Sequence, residues 1–162
     1  MIKVLFVCLG NICRSPLAEA IFNHQIQKLN LPHKFKSDSC GTSDYHIGEL
    51  PDERSIKCAN DHGIKISHRG RQLSHADIRD FDYIIAMDKS NRSNIYKLMD
   101  TYSQTHDQIH LMRDFQPNNS ESEEVPDPYY GGEDGFEKVY QILDESIKEL
   151  IAKLQKEHQV YA

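Results

Sequence analysis

A doubly wound α/β fold, one parallel sheet between two layers of helix, is what this sequence predicts. Three observations predict it. Residues 2–7 form an apolar run that alternates little and is mostly β-branched or large, as a strand buried on both faces requires. Further short apolar runs follow, separated by amphipathic helical patterns, so strands alternate with helices along the chain. The longest helical pattern comes last, with Phe136, Tyr140, Leu143, Ile147, Leu150 and Leu154 at spacings of four and three. Such alternation implies parallel strands joined by right-handed crossovers. At 162 residues the chain is expected to form one domain, residues 1–162, with room for a substantial core.

The elements follow in order. After the first strand, residues 17–29 carry an apolar helical stripe of Leu17, Ala18, Ile21, Phe22, Ile26 and Leu29, with Pro16 near the first turn, where a missing N–H costs nothing. Asn30, Leu31 and Pro32 end that helix. Residues 34–40 make a weaker strand, and residues 41–51 a long polar loop of the kind that often carries function. Residues 52–62 read as a helix with an acidic start and Gly63 beyond its end; Cys58 inside it reads as a small core residue. Residues 67–71 hold His68, Arg69 and Arg71, a basic rim or simply a solvated loop. Ser74 caps a short helical turn. Residues 82–87 are the next buried strand, with Asp88 at its end, and residues 90–99 a helix with Ile95, Leu98 and Met99 inward. Residues 109–112 are the last strand, and residues 117–125 an exposed loop. Prolines 126 and 128 flank Asp127 and stiffen its backbone, ahead of the final helix.

Composition narrows the function classes. A charged fraction of 27% with 38% apolar residues suits a soluble globular protein. The net charge of −6 argues against a nucleic-acid or membrane-surface partner, and nothing in the acidic surface marks an interface, so a monomer is expected. No apolar run approaches the ~20 residues of a membrane span. The first residues begin a strand and lack a signal-peptide pattern, which makes the cytoplasm the default. The four cysteines, at 8, 13, 40 and 58, do not form a secreted disulfide framework. No two close pairs of cysteine or histidine suggest structural zinc, so neither metal nor cofactor is expected.

The chemistry is concentrated in Cys8, Leu9, Gly10, Asn11, Ile12, Cys13, Arg14 and Ser15, between the first strand and the first helix. Five residues separate Cys8 from Arg14, enough to wrap a loop around one tetrahedral anion. Inward backbone N–H groups and the positive end of a helix favour an anion there. Arg14 can grip two phosphate oxygens with its planar fork. The same field favours thiolate over thiol at a cysteine, so Cys8 reads as a nucleophile. Asn11 is a residue type that tolerates positive φ in a tight loop. Ser15 can donate a hydrogen bond to the sulfur or cap the helix; the two roles are compatible.

This stretch, at the N-terminus and directly after a strand, resembles the signature of the low-molecular-weight protein tyrosine phosphatases. Asp127, Pro128, Tyr129 and Tyr130 fall where that family keeps its acid loop. Asp38 and Ser39, Gly41 to Ser43, Ser67 to Arg69, and Ala86 to Asn91 also fit its pattern, so the resemblance covers essentially the whole chain. It implies a four-stranded parallel sheet of flavodoxin-like order. It implies hydrolysis of phosphotyrosine in protein substrates through a cysteinyl-phosphate, with Cys8 as nucleophile, Arg14 and the loop residues 9–13 binding phosphate, and Asp127 as general acid and base. Tyr45, Tyr129 and Tyr130 become walls of the cleft, although Tyr45 alone reads equally as a surface tyrosine. Ser39 and His68 become braces of Asn11, although His68 alone reads as an ordinary surface or core histidine. Asp88 takes a supporting place. Cys13 is either a small loop filler or a partner that traps oxidised Cys8 as a reversible disulfide.

Three other functions fit parts of the pattern. Arsenate reductases of similar architecture share the cysteine–arginine loop but need a relay of further cysteines, which the region after Asp82 does not contain. Protein arginine phosphatases resemble this chain but typically carry threonine at the position of Ile12. A non-catalytic phosphate-binding module predicts loss of the nucleophile or acid, yet Cys8, Arg14, Ser15 and Asp127 are all present.

Overall fold

The computed structural model describes residues 1–117 and 123–162. Strands β1 (Ile2–Cys8), β2 (Phe35–Gly41), β3 (Tyr83–Ala86) and β4 (Ile109–Leu111) form one parallel sheet in the order β2-β1-β3-β4. Helices α1 (Arg14–Lys28), α2 (Glu53–Asp61), α3 (His75–Asp80), α4 (Lys89–Thr101) and α5 (Glu133–His158) cover it. This is the three-layer, doubly wound arrangement with the flavodoxin-like order.

The central strands show why their sequences alternate so little. On β1, Val4, Phe6 and Cys8 face the core shared with α1, α2 and α5, while Leu5 and Val7 face the core shared with α3 and α4. On β3, Tyr83 and Ile85 face the first core, Ile84 and Ala86 the second. A strand packed on both sides has no solvent face on which to place polar residues. Phe22 of α1 fixes the larger core, meeting Phe6 and Phe35 edge-on at 5.7 and 5.9 Å.

The register places the site. Cys8 pairs with Gly41 at the carboxyl ends of β1 and β2, and β1 and β3 lie side by side where the strand order reverses. Open α/β sheets bind ligands at that crevice.

Some local expectations are corrected. The first helix begins at Arg14, three residues earlier than the apolar stripe suggests, so Pro16 sits in its first turn, where N–H groups have no partner in the helix. Leu29, assigned to the stripe, caps the helix and is exposed, while Leu31 beyond it is fully buried and closes the core. Met112 leaves the strand for a short 3-10 turn, Met112–Phe115. Of the loop expected over residues 117–125, residues 118–122 lie outside those described; Val125 is buried and donates its N–H to the Met87 carbonyl at 2.8 Å.

Candidate active site

Cys8 ends β1, and its side chain lies at the base of a cleft of about 240 Å³ lined by residues 8–10 and 12–14, Tyr45, His46, Asp127, Tyr129 and Tyr130. The loop can turn this tightly because Asn11 takes φ +57°. L-residues rarely sit there, and asparagine does so more readily than most. Its N–H then points to Cys8 Sγ at 3.3 Å. The Asn11 side chain is fully buried and directs its polar atoms to Ser15, Ser39, His68 and the Arg71 N–H.

That side chain anchors a directional chain of hydrogen bonds. Its Oδ1 accepts from His68 Nε2 at 2.7 Å and from the Arg71 N–H at 3.0 Å. Its Nδ2 donates to Ser15 Oγ at 2.8 Å and to Ser39 Oγ at 3.1 Å. Ser39 Oγ in turn donates to Glu19 Oε1 at 2.7 Å. Ser15 Oγ, already accepting, lies 2.9 Å from Cys8 Sγ and 3.4 Å from the Cys40 carbonyl, so its proton is best directed at the sulfur.

Arg71, read from sequence as rim or solvated loop, belongs to this brace. Its guanidinium binds both oxygens of buried Asp77 at 3.0 Å and Asp38 at 3.0 Å. Burial opposes its charge, but the Asp77 hydrogen bonds and the nearby carboxylates outweigh that and push its pKa up. Around His68, burial pushes the imidazole pKa down, while Glu19, 3.2 Å from its Nδ1, is pushed up to about 7 by burial. With Nε2–H committed to Asn11, the Nδ1 contact to Glu19 is favourable when the pair shares one proton. Gly41 closes the brace from β2. A Cβ there would lie 2.6 Å from the Leu9 carbonyl oxygen, so only glycine lets the strand end meet the loop.

Arg14 is oriented from the other side of the cleft. Its Nη1 donates to Asp88 at 2.7 Å and to the Val125 carbonyl at 3.0 Å, and it is almost fully buried. Burial opposes the charge, but Cys8, Asp88 and Asp127 together overcome it, and the guanidinium pKa rises. Asp88 is able to do this because it caps α4, accepting the Asn91 N–H at 2.7 Å, which fixes its carboxylate. Sequence placed Asp88 at a strand end but could not show its partner.

Asp127 approaches from above. Its Oδ1 accepts the Tyr129 N–H at 3.0 Å, and its Oδ2 lies 3.7 Å from Arg14 Nη2. Its loop is tied to α2 by Arg54, which donates to the carbonyls of Tyr129 and Gly131 at 2.8 and 2.9 Å while gripping Asp52. Arg54 went unnoticed in the sequence, where it is one charged residue of a helix. Tyr129 and Tyr130 meet edge-on at 5.0 Å and, with exposed Tyr45, form the apolar walls of the cleft. His46 was also missed; it lines the cleft beside Gly10 and pairs with Glu49. Cys13 lines the cleft too, but burial first, then Asp52, Cys8 and Asp127, push its thiol far above the usual range, so it stays protonated.

Residues 3–160 match the family of the low molecular weight phosphotyrosine protein phosphatases. The chain belongs to that family. The phosphatase of that name from Saccharomyces cerevisiae is 41% identical over 154 residues, 94% of each chain. A protein tyrosine phosphatase from Entamoeba histolytica, solved with Hepes in its active site, superposes with a TM-score of 0.89 at 42% identity, covering 98% of this chain and 99% of the other. An arginine phosphatase from Drosophila superposes with a TM-score of 0.90 at 36% identity, covering 95% and 98%. Among the described residues of this phosphatase-family chain, no helix is long and apolar enough to cross a membrane.

Proposed function

We propose that this chain is a protein tyrosine phosphatase that hydrolyses phosphotyrosine and other aryl phosphates in two steps, without a metal. One observation carries the reading: a thiol, a guanidinium and a carboxylate converge on one small cleft with tyrosine walls. The Cys8 thiolate attacks phosphorus in line as the bond to the phenolic oxygen breaks, forming a cysteinyl-phosphate. Arg14 and the loop N–H groups hold the equatorial oxygens, where transition-state charge collects. The Asp127 carboxylic acid gives its proton to the leaving phenolate. In the second step the Asp127 carboxylate takes a proton from water, the water oxygen bonds to phosphorus, and the S–P bond breaks. The Ser15 hydroxyl stabilises the departing thiolate, and orthophosphate leaves. Tyr45, Tyr129 and Tyr130 sandwich the aromatic ring. Ser39 and His68 act through Asn11, holding the loop in shape. The reading takes residues 1–162 as one catalytic unit, since Cys8, Arg14 and Asp127 meet in a single cleft, and keeps a cytoplasmic monomer as its expectation.

The likeness to the Drosophila arginine phosphatase supports a second reading, hydrolysis of phosphoarginine. Ile12 opposes it. A phosphorylated guanidino group brings N–H donors, and Ile12 meets them at the cleft with an apolar side chain that accepts nothing. The test is phosphate release from phosphotyrosine and phosphoarginine peptides, in the presence of a chelator, by wild type and Cys8→Ser. Release from phosphotyrosine that disappears in Cys8→Ser supports the proposal. Preferential release from phosphoarginine would favour the second reading, and release that survives Cys8→Ser would overturn the thiolate mechanism.

A further inference from the structure

A second cluster of reactive side chains lies where α2 meets the start of α5. Cys58 and His62 are four residues apart, one turn along α2 and its cap, so both project to the same side. Glu137, from the second turn of α5, reaches across to them. Its carboxylate oxygens lie 2.6 and 2.9 Å from His62 Nε2, and Oε2 lies 3.8 Å from Cys58 Sγ. One ligand atom from each residue falls within 4.8 Å of the others. Cys58 is buried, and among the described residues its sulfur's polar partners are the Phe136 carbonyl, at 3.6 Å, and Glu137. The His62 ring is held flat against Tyr140, with centroids 3.7 Å apart and planes 9° from parallel. The three residues line a cavity of about 380 Å³ that shares no lining residue with the catalytic cleft.

The geometry points to a Zn²⁺ site made by Cys58 Sγ, His62 Nε2 and the Glu137 carboxylate, with its fourth position open to this cavity. Zinc takes thiolate sulfur at ~2.3 Å and imidazole nitrogen or carboxylate oxygen at ~2.0–2.2 Å. Ligand atoms on such an ion stand about 3.3–3.6 Å apart, so the imidazole and carboxylate need to spread by less than about 1 Å. A mixed sulfur, nitrogen and oxygen set favours zinc over the harder magnesium or calcium. The nearby cations are matched: Lys57 pairs with Asp61 at 3.3 Å and Arg54 with Asp52 at 3.0 Å. On binding, the thiol proton passes to solvent and the Nε2 proton of His62 moves to Nδ1, leaving both ligand atoms with a lone pair for the metal. Among the described residues the other grouping of this kind, Glu19, Asp38 and His68, already has Arg71 on Asp38 and belongs to the brace of the catalytic loop.

The ion would clamp α2 to α5, the same seam on which Arg54 holds the Asp127 loop. The test uses full-length Cys8→Ser/Cys13→Ser protein, which removes the thiols of the catalytic loop as competitors. Zn²⁺ is titrated by calorimetry and Co²⁺ by absorbance. One equivalent of each is expected, with a thiolate-to-cobalt charge-transfer band and a rise in Tm on adding Zn²⁺. The band should vanish with Cys58→Ser. Loss of an outer partner alone costs metal sites roughly 10–100-fold, so His62→Ala and Glu137→Gln should weaken Zn²⁺ binding at least that much. His62 lies near the surface, which keeps the test valid if Cys58→Ser folds poorly. No stoichiometric binding, or binding indifferent to His62→Ala and Glu137→Gln, would overturn the site.

Discussion

The loop around Cys8 is buried and braced from several directions, whereas the loop that carries Asp127 is exposed and held from outside. Asn11, Arg14 and Ser15 are at most 3% exposed, while the Asp127 side chain is 40% exposed and Tyr130 93%. The difference follows from the tasks assigned to them. The phosphate cradle must offer its donors in fixed positions before charge develops, because reorganising them during the reaction would raise the barrier. Rigidity there comes from the β1 and β2 ends and from Asn11, whose side chain reaches two serines, a histidine and the Arg71 backbone. On the proposed mechanism the acid meets a leaving group, then water, and must leave room for a protein substrate. A loop tethered by Arg54 and by its own turn at Tyr129 suits that.

The sharpest way to test that division is Asp127→Asn. It should lower kcat on phosphotyrosine by about 10²–10⁴-fold, the range for losing a general acid. The loss should shrink for aryl phosphates whose phenol is acidic enough to leave without a proton. Tm should hardly change, because the side chain is exposed and its one turn-forming acceptor survives as an amide oxygen. An equal loss for good and poor leaving groups would remove Asp127 from the role of acid.

Gly41→Ala is the matching probe of the braced side. Its Cβ would press on the Leu9 carbonyl and come within 3.1 Å of the Asn11 nitrogen, both backbone atoms of the phosphate loop. Overpacking of this kind costs about 1–3 kcal/mol in stability. A misplacement near 1 Å can cost about 10²-fold in rate, so kcat should fall toward that value with good and poor leaving groups alike. Thermal melts and kinetics on the same leaving-group series check both parts. Lost activity together with lost stability, against lost activity alone for Asp127→Asn, is the contrast expected.

How much of this was legible in the sequence divides along the same line. Cys8 to Ser15 is contiguous, and its residue types announce an anion loop by themselves. Asp127 stands out between two prolines, and the tyrosines beside it fit an aryl substrate. The brace was half visible. Ser39 and His68 were identified only through the resemblance, since nothing local marks a serine in a strand or a histidine in a polar loop. Arg71 reads from the sequence only as part of a basic rim or solvated loop, and nothing singles out Glu19. Arg71 reaches Asn11 from 60 residues away, and Glu19 occupies a polar position on an otherwise buried stretch of α1, where it reads as a solvent-facing residue. Long-range partners become visible only when the sheet order brings their strands together. The alternating helix and strand patterns fixed that order less directly than the resemblance did.

Arg54→Ala tests the lighter tether. Without the donors to the Tyr129 and Gly131 carbonyls, the acid loop should shift away from Arg14. A fall of roughly tenfold in kcat is expected, less than the about 10²-fold cost of a full 1 Å misplacement. Good leaving groups should be spared, as for Asp127→Asn, because both changes act on proton delivery. A uniform loss across leaving groups would place Arg54 with the phosphate cradle instead.

The smallest effect belongs to Glu19→Gln, and it is read in pH. Glu19 is raised by burial to about 7 from an ordinary value of 4.5, so the folded state holds its proton more tightly than the unfolded chain does. The contribution to stability is therefore complete below about 4.5 and is lost as pH rises through about 7. Glutamine cannot titrate, but its amide still offers Ser39 an acceptor. His68, whose burial acts in the opposite sense, is present in both proteins, and its own titration is read from the pH dependence of the variant. Relative to the variant, wild type should lose on the order of a few degrees of Tm between pH 4.5 and 7. Activity in the same range should change little, since Asn11 keeps its bonds to Ser15 and Ser39. A Tm difference that stays flat with pH would mean that Glu19 is ionised in the fold, with the shared proton on His68, and that the brace is an ion pair rather than a neutral hydrogen-bond chain.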